Sequence, residues 1–125
     1  MARVNHFEIY TANPESVQPF YRDIFGWKFQ KFEGGPVEYW LITTGPDDQP
    51  GINGGMTPPR EGQSPGTVNT IAVLSLDKTV KKIEHRGGKI CVPKMAIPRV
   101  GLLAYAEDPA GNVFGIIEPD TNAKE

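Results

Sequence analysis

The sequence predicts an α+β domain built from two βαβββ modules. Three observations carry that expectation. The order strand, helix, three strands occurs twice. Each predicted helix runs into a glycine at the same relative place. A shift of 62 residues superposes Ile9 on Ile71, Tyr21 on Ile83, Gly26 on Gly88 and Phe29 on Cys91. A repeated element order constrains a fold strongly, since each module has one helix to cover one sheet face and must bury the other face elsewhere. The chain of 125 residues is expected to be a single domain, with module one at about 1–58, a linker at 57–66 and module two at about 67–119.

In the first module, residues 3–11 alternate. Phe7 and Ile9 point one way and His6, Glu8 and Tyr10 the other, as in a strand with two chemically different faces. A helix over 14–25 follows. Asn13 or Ser16 serves as its cap, and Pro19 is tolerated in the first turn if Ser16 is the true cap. Val17, Phe20, Tyr21 and Ile24 recur at i, i+3, i+4 and i+7, the stripe expected to lie on the sheet under Phe7 and Ile9. Gly26 ends the helix. Strands are predicted at Trp27–Phe32, Val37–Thr43 and near Ile52–Met56, separated by the Gly34-Gly35-Pro36 turn and the 45–51 loop.

In the second module, Val68–Leu76 is predicted as a strand. Asp77 is expected to cap a helix over 78–87 that carries Val80 and Ile83 and stops at Gly87-Gly88. Lys89–Ile97, Leu102–Glu107 and Asn112–Glu118 complete the set, the last two joined by an Asp108-Pro109-Ala110-Gly111 turn.

Composition excludes several classes. Thirteen basic against 15 acidic residues give a net charge of −2, with no Lys/Arg block, so no nucleic-acid partner is expected. No apolar stretch approaches a membrane span, and residues 1–6 contain no apolar core of a leader, so a cytoplasmic location is expected. Cys91 is the only cysteine, which rules out an internal disulfide and a cysteine-cluster metal site; between Ile90 and Val92 it reads as a strand side chain.

Three segments carry a resemblance. His6-Phe7-Glu8-Ile9 is followed by Asn13, where the helix opens. Phe20-Tyr21-Arg22-Asp23-Ile24-Phe25-Gly26-Trp27 matches a helix end of the form FYxxxLGw. Glu107-Asp108-Pro109-Ala110-Gly111-Asn112-Val113-Phe114 matches xDPxGNxF before the last strand. Together they make the chain resemble the glyoxalase/bleomycin-resistance/extradiol-dioxygenase superfamily, the vicinal-oxygen-chelate fold. The resemblance implies curved mixed sheets around a cavity for a small molecule, and pairing of two chains as a homodimer. It implies no particular reaction.

In metal-using members of that superfamily, four strands each supply one ligand, and a divalent ion with open positions holds two neighbouring substrate oxygens. His6 matches the first of these positions. Val68 falls at the third, with Asn69 and Thr70 near it; Gly115 falls at the last; the second falls around Asn53 to Gly55. One donor of four remains, so no metal site is assigned and no cofactor is expected, with a divalent ion kept as the alternative. Glu118 is the tempting substitute, but alternation puts it on the face opposite Gly115. His85 lies off the buried helix stripe and is expected in solvent.

The expected activity is binding of a small organic molecule. The candidate ligand-binding residues are His6, Glu8, Tyr10, Trp40 and Tyr105, the facing of the last two being open. The glycines at 54, 55 and 115 are expected to leave room for the ligand. The alternative is a lyase or dioxygenase with a rearranged metal site, or an enzyme using His6 and Glu8 as an acid–base pair.

Overall fold

A computed structural model describes residues 2–120; Met1 and residues 121–125, which the sequence places at the ends of the domain, lie outside the described residues. The chain runs β1 (Arg3–Tyr10), α1 (Pro14–Phe25), β2 (Lys28–Lys31), β3 (Trp40–Thr43) and β4 (Gly54–Thr57), then β5 (Gly66–Ala72), α2 (Leu76–His85), β6 (Lys89–Ile97), β7 (Gly101–Glu107) and β8 (Val113–Pro119). This is βαβββ twice. The residues fall into two compact units: His6–Thr67 is one, and the other starts at Val68 and includes the first residues through Asn5.

In the first unit the strands lie in the order β2-β3-β4-β1, with β1 parallel to β4 and the other neighbours antiparallel. The second unit repeats the arrangement as β6-β7-β8-β5, with β5 parallel to β8. Each sheet is therefore mixed. The parallel pair is the one that needs a long crossover, which the helix and the two intervening strands supply.

The second unit's core forms under α2. Leu76, Ala104 and Ile116 are fully buried, with Ile71, Val73, Val80 and Ile83 packed on them. Ile71 and Ala104 both pair with Ile116, so these three share the helix-covered face. The helix begins earlier than Asp77 implies. Ser75 is the cap, its hydroxyl accepting from the Lys78 N–H at 3.3 Å, and Asp77 sits in the first turn. The Glu118 carboxylate accepts the Leu76 N–H at 2.8 Å, a negative charge at the positive end of the helix. The strand stops at Ala72, and Leu76 becomes a buried helical residue. At the other end Gly88 must lack a side chain: a Cβ there would lie 2.5 Å from Ile83 Cγ2 and 2.9 Å from the Glu107 carbonyl.

Helix α1 differs from expectation in rotation. Asn13 is its cap and Pro14 its first residue, so Pro19 lies beyond the first turn and forgoes the bond to the Glu15 carbonyl. Pro14 and Gln18 are buried and Val17 and Tyr21 half-buried, whereas Phe20 and Ile24 are each 58 % exposed and Phe25 59 %. Positions 14, 17, 18 and 21 have the same spacing as 17, 20, 21 and 24, so spacing alone does not select the inner stripe. Packing does: Tyr21 stacks on Trp27 at 5.0 Å, and Trp27 lies against Phe7 at 5.8 Å. Gly26, at φ 73°, turns the chain so that Trp27 comes back under the helix. Among the described residues no helix is long and apolar enough to cross a membrane.

Ile116→Ala is expected to lower the stability to urea by about 2–5 kcal/mol, the cost of a large-to-small change in a closed core. Val113→Ala, on the same strand but 39 % exposed, is expected to cost less than about 1 kcal/mol. Equal losses would contradict this placement of the core.

Candidate functional site

The site grows from the two-residue period of β1. Phe7 takes the α1 side, and His6, Glu8 and Tyr10 take the other. Glu8 is 4 % exposed and Tyr10 2 %, while His6 is half-buried. A carboxylate so buried requires donors. Tyr10 Oη donates to Glu8 Oε1 at 2.5 Å, and Tyr39 Oη donates to Glu8 Oε2 at 2.7 Å. His6 Nε2 lies 2.8 Å from Tyr39 Oη. Tyr39 has a single O–H and gives it to Glu8, so its oxygen accepts from His6, and the imidazole is the Nε2–H tautomer. The other nitrogen, Nδ1, then carries a lone pair.

Electrostatics agree with this assignment. Burial lowers the His6 pKa from 6.5, and the Glu8 charge opposes that only in part. Burial raises the Tyr39 pKa far above the ordinary phenol value, reinforced by the Glu8 charge, the hydrogen bond to Glu8 and the nearby Tyr10. A neutral imidazole and a neutral phenol therefore lead to the Glu8 carboxylate. The Arg60 guanidinium lies over the Tyr10 ring at 5.5 Å.

Tyr39 reaches Glu8 because β4 offers no side chain in its way. Glu8 pairs with Gly55, and a Cβ on Gly55 would collide with the Tyr39 hydroxyl end. Gly54 is likewise covered by Phe7, whose ring carbons would lie 2.7 Å from a Cβ there. In the second unit Gly115 is covered by Tyr105, with Cε1 at 3.2 Å, and by Thr70 Oγ1 at 3.1 Å. The expectation that these glycines leave room for a ligand is thus corrected. They make room for the chain's own aromatic rings.

The five residues singled out in the sequence are not all brought together. His6, Glu8 and Tyr10 form one connected group. Trp40 pairs with Met56, which pairs with Ile9, so it lies on the opposite face; its indole donates to Glu38 at 3.0 Å under the Lys31 ammonium. Tyr105 belongs to the second unit, where it is buried against Gly115. Tyr39 and Arg60 were missed. The signal for Tyr39 was the glycine pair, since a side-chain-free position beside a buried acid marks where another chain segment closes in. Glu118 is used at the α2 N-terminus, His85 is exposed, and Cys91 donates to Glu107 at 3.3 Å from an exposed position.

Residues 3–116 match the family model described as Glyoxalase/Bleomycin resistance protein/Dioxygenase superfamily. The chain belongs to this superfamily. Two curated relatives named "Putative glyoxylase CFP32", from Mycobacterium bovis and Mycobacterium tuberculosis, are each 28 % identical over 112 residues, which is 90 % of this chain and 42 % of theirs. The chain thus spans less than half the length of those relatives. Among solved structures, hypothetical protein BH1468 from Bacillus halodurans C-125 aligns with a TM-score of 0.74 at 16 % identity, covering 99 % of both chains. Methylmalonyl-CoA epimerase from Mycobacterium tuberculosis aligns at 0.69 and 15 % identity, covering 94 % of this chain and 87 % of that one. These likenesses establish a glyoxalase-like fold.

The superfamily's divalent metal can be tested against the donors present. His6 and Glu8 are tied to each other through Tyr39. Gly55 stands beside Glu8, and Val68, Thr70 and Gly115 occupy the corresponding places in the second unit. Among the described residues no three His, Cys, Asp or Glu side chains gather as a metal site. This donor set does not fit an ion that takes three or four ligands from protein.

Stability is expected to depend on pH through His6. Its depressed folded pKa means the unfolded chain binds the proton more readily, so stability rises with pH in that range. The contribution is fully present above pH 6.5 and is lost as pH falls toward the lowered folded value. Urea midpoints measured from about pH 7.5 to about 5 are expected to fall, and His6→Gln is expected to flatten that fall. An unchanged slope in His6→Gln would contradict the buried neutral imidazole.

Proposed function

We propose that this chain is a cytoplasmic binding protein for a small organic molecule, which it holds on the His6-bearing face without a bridging divalent metal. The single observation that carries the reading is the His6–Tyr39–Glu8–Tyr10 network. It is a polar group set among aromatic side chains, with its inner end buried and its His6 end half-exposed, and an orienting cluster of that kind is what a small-molecule site needs. Tyr10, Glu8 and His6 are the binding residues, with Tyr39 joining them. Trp40, on the opposite face, has no part in this reading; Tyr105 remains a candidate.

An enzymatic reading is favoured by one specific feature, the unbroken hydrogen-bond line from His6 to Glu8. It would serve an acid–base pair better than two isolated residues on a strand. Methylmalonyl-CoA epimerases among the structural neighbours share the fold only.

Homodimer formation belongs to the same proposal. Phe20, Ile24 and Phe25 leave one side of α1 apolar and open. A second copy presents the same face, so the pairing is self-complementary.

A chemically diverse library screened by thermal shift is expected to yield compounds that raise the melting temperature equally with and without a chelator. His6→Ala is expected to abolish the shift. Stoichiometric metal that survives dialysis and is required for every hit would overturn the metal-free reading. Light scattering at tens of micromolar, by order of magnitude a concentration where specific dimers persist, is expected to give the mass of two chains, and Phe20→Asp that of one. A monomer in both would contradict the dimer.

A further inference from the structure

We propose that the outer face of α2 is a docking surface for a short acidic segment of a partner protein, independent of any small molecule held by the first unit. The cations of the second module gather there. Between Leu76 and Lys89 the chain holds Lys78, Lys81, Lys82, Arg86 and Lys89 against only Asp77 and Glu84. They form no run along the sequence; the helix brings them together. At about 100° per residue, Lys78, Lys81, Lys82 and His85 fall within an arc of about 100°. That arc points away from Leu76, Val80 and Ile83, which pack in the core. Asp77 and Glu84 lie together on one flank, and Asp77 is already engaged by Lys94 at 3.1 Å. Lys78, Lys81, Lys82, His85 and Arg86 are exposed, and among the described residues none of them makes an ion pair.

The row works against its own helix. Lys78 with Lys81 and Lys82, and Lys82 with Arg86, stand three or four residues apart, where like charges repel. The Lys78 N–H donates to the cap hydroxyl of Ser75, so Lys78 lies in the first turn. A Glu or Gln at that place would complete a capping box, and the helix dipole disfavours a cation there. The dipole accounts for Lys82 and His85 in the last turn. It does not account for Lys78 and Lys81. Nor does the fold require the charge. The 62-residue shift puts Ser16, Pro19, Phe20, Asp23 and Ile24 of the first module at the places of Lys78, Lys81, Lys82, His85 and Arg86. The repeat-equivalent face of α1 is thus apolar, and that of α2 is basic. An anion from outside relieves the repulsion.

The size and composition of the row select the partner. From Lys78 to Arg86 it runs about 12 Å at about 1.5 Å per residue, the reach of about four extended residues. It carries no aromatic side chain on which a base would stack. The apolar face of α2 is committed to the core, so the helix has no apolar face to lay into a bilayer. The chain's net charge of −2 opposes approach to an extended anionic surface such as a duplex or a membrane. A few consecutive Asp or Glu residues meet the row alone.

Binding is tested on the full chain with a fluorescent hexaglutamate peptide, read by anisotropy at about 150 mM salt, where the Debye length is about 8 Å. Hexaglutamate is expected to bind, and to bind several-fold more tightly at about 50 mM salt. Hexaglutamine is expected not to bind. Lys78→Glu/Lys82→Glu is expected to weaken binding at least about ten-fold. Lys28→Glu/Lys31→Glu, at exposed positions of β2, makes the same change in net charge and is expected to stay within about two-fold of wild type. Lys78→Gln/Lys82→Gln serves if the charge reversal does not fold; it is expected to weaken binding without lowering the urea midpoint, since it removes repulsion within the helix. No binding of hexaglutamate, or equal losses in the two reversal variants, would overturn the docking surface. Tighter binding of phosphatidylserine vesicles or of duplex DNA, lost in Lys78→Glu/Lys82→Glu, would overturn the acidic segment as its partner and give the face to a membrane or a nucleic acid.

Discussion

Glu8 sets the terms for the first unit. A carboxylate that is 4 % exposed is costly unless its oxygens are supplied with donors, on the order of several kcal/mol if left uncompensated. Tyr10 is available because it lies two residues along the same strand face. Tyr39 comes from the far side of the turn at 34–36 and arrives only because Gly55, opposite Glu8 on β4, has no side chain. His6 follows from Tyr39: once the phenol proton is committed to Glu8, the imidazole must be the donor, and its tautomer is fixed. One buried charge thus accounts for a glycine, two tyrosines and the state of a histidine.

The two modules show the same packing solution with different chemistry. Thr70 pairs with Gly115 as Glu8 pairs with Gly55, and a tyrosine ring covers each glycine. Yet the acid and imidazole are present only in the first module, where Val68 and Thr70 stand at the equivalent places in the second. Thr70 Oγ1 is buried and has no hydrogen-bond partner among the described residues. The glycine–tyrosine packing belongs to the fold, and the titratable network is an addition to one half of it. That division explains how a chain can belong to the glyoxalase superfamily while its donor set departs from a metal site.

What was legible in the sequence was what depends on near neighbours. Alternation along β1 is local, so the shared face of His6, Glu8 and Tyr10 followed from the five residues His6 to Tyr10. The repeated order of elements and the helix-ending glycines were equally direct. What escaped depended on pairing across strands or on packing. Tyr39 and Trp40 are adjacent, and only the register of β3 with β4 and of β4 with β1 says which one faces Glu8. The inner stripe of α1 was ambiguous because two sets of positions share one spacing, and the contact of Tyr21 with Trp27 chose between them. The glycines were read as empty space because a missing side chain does not reveal which neighbour moves in.

Tyr39 and Glu8 act as one unit. A double-mutant cycle of Tyr39→Phe and Glu8→Gln, read by urea denaturation at neutral pH, measures that coupling. The expected interaction energy is about 0.5–3 kcal/mol, as for residues within one hydrogen-bond network. Single effects that add to within about 0.3–0.5 kcal/mol would mean the two side chains are independent, and would contradict it.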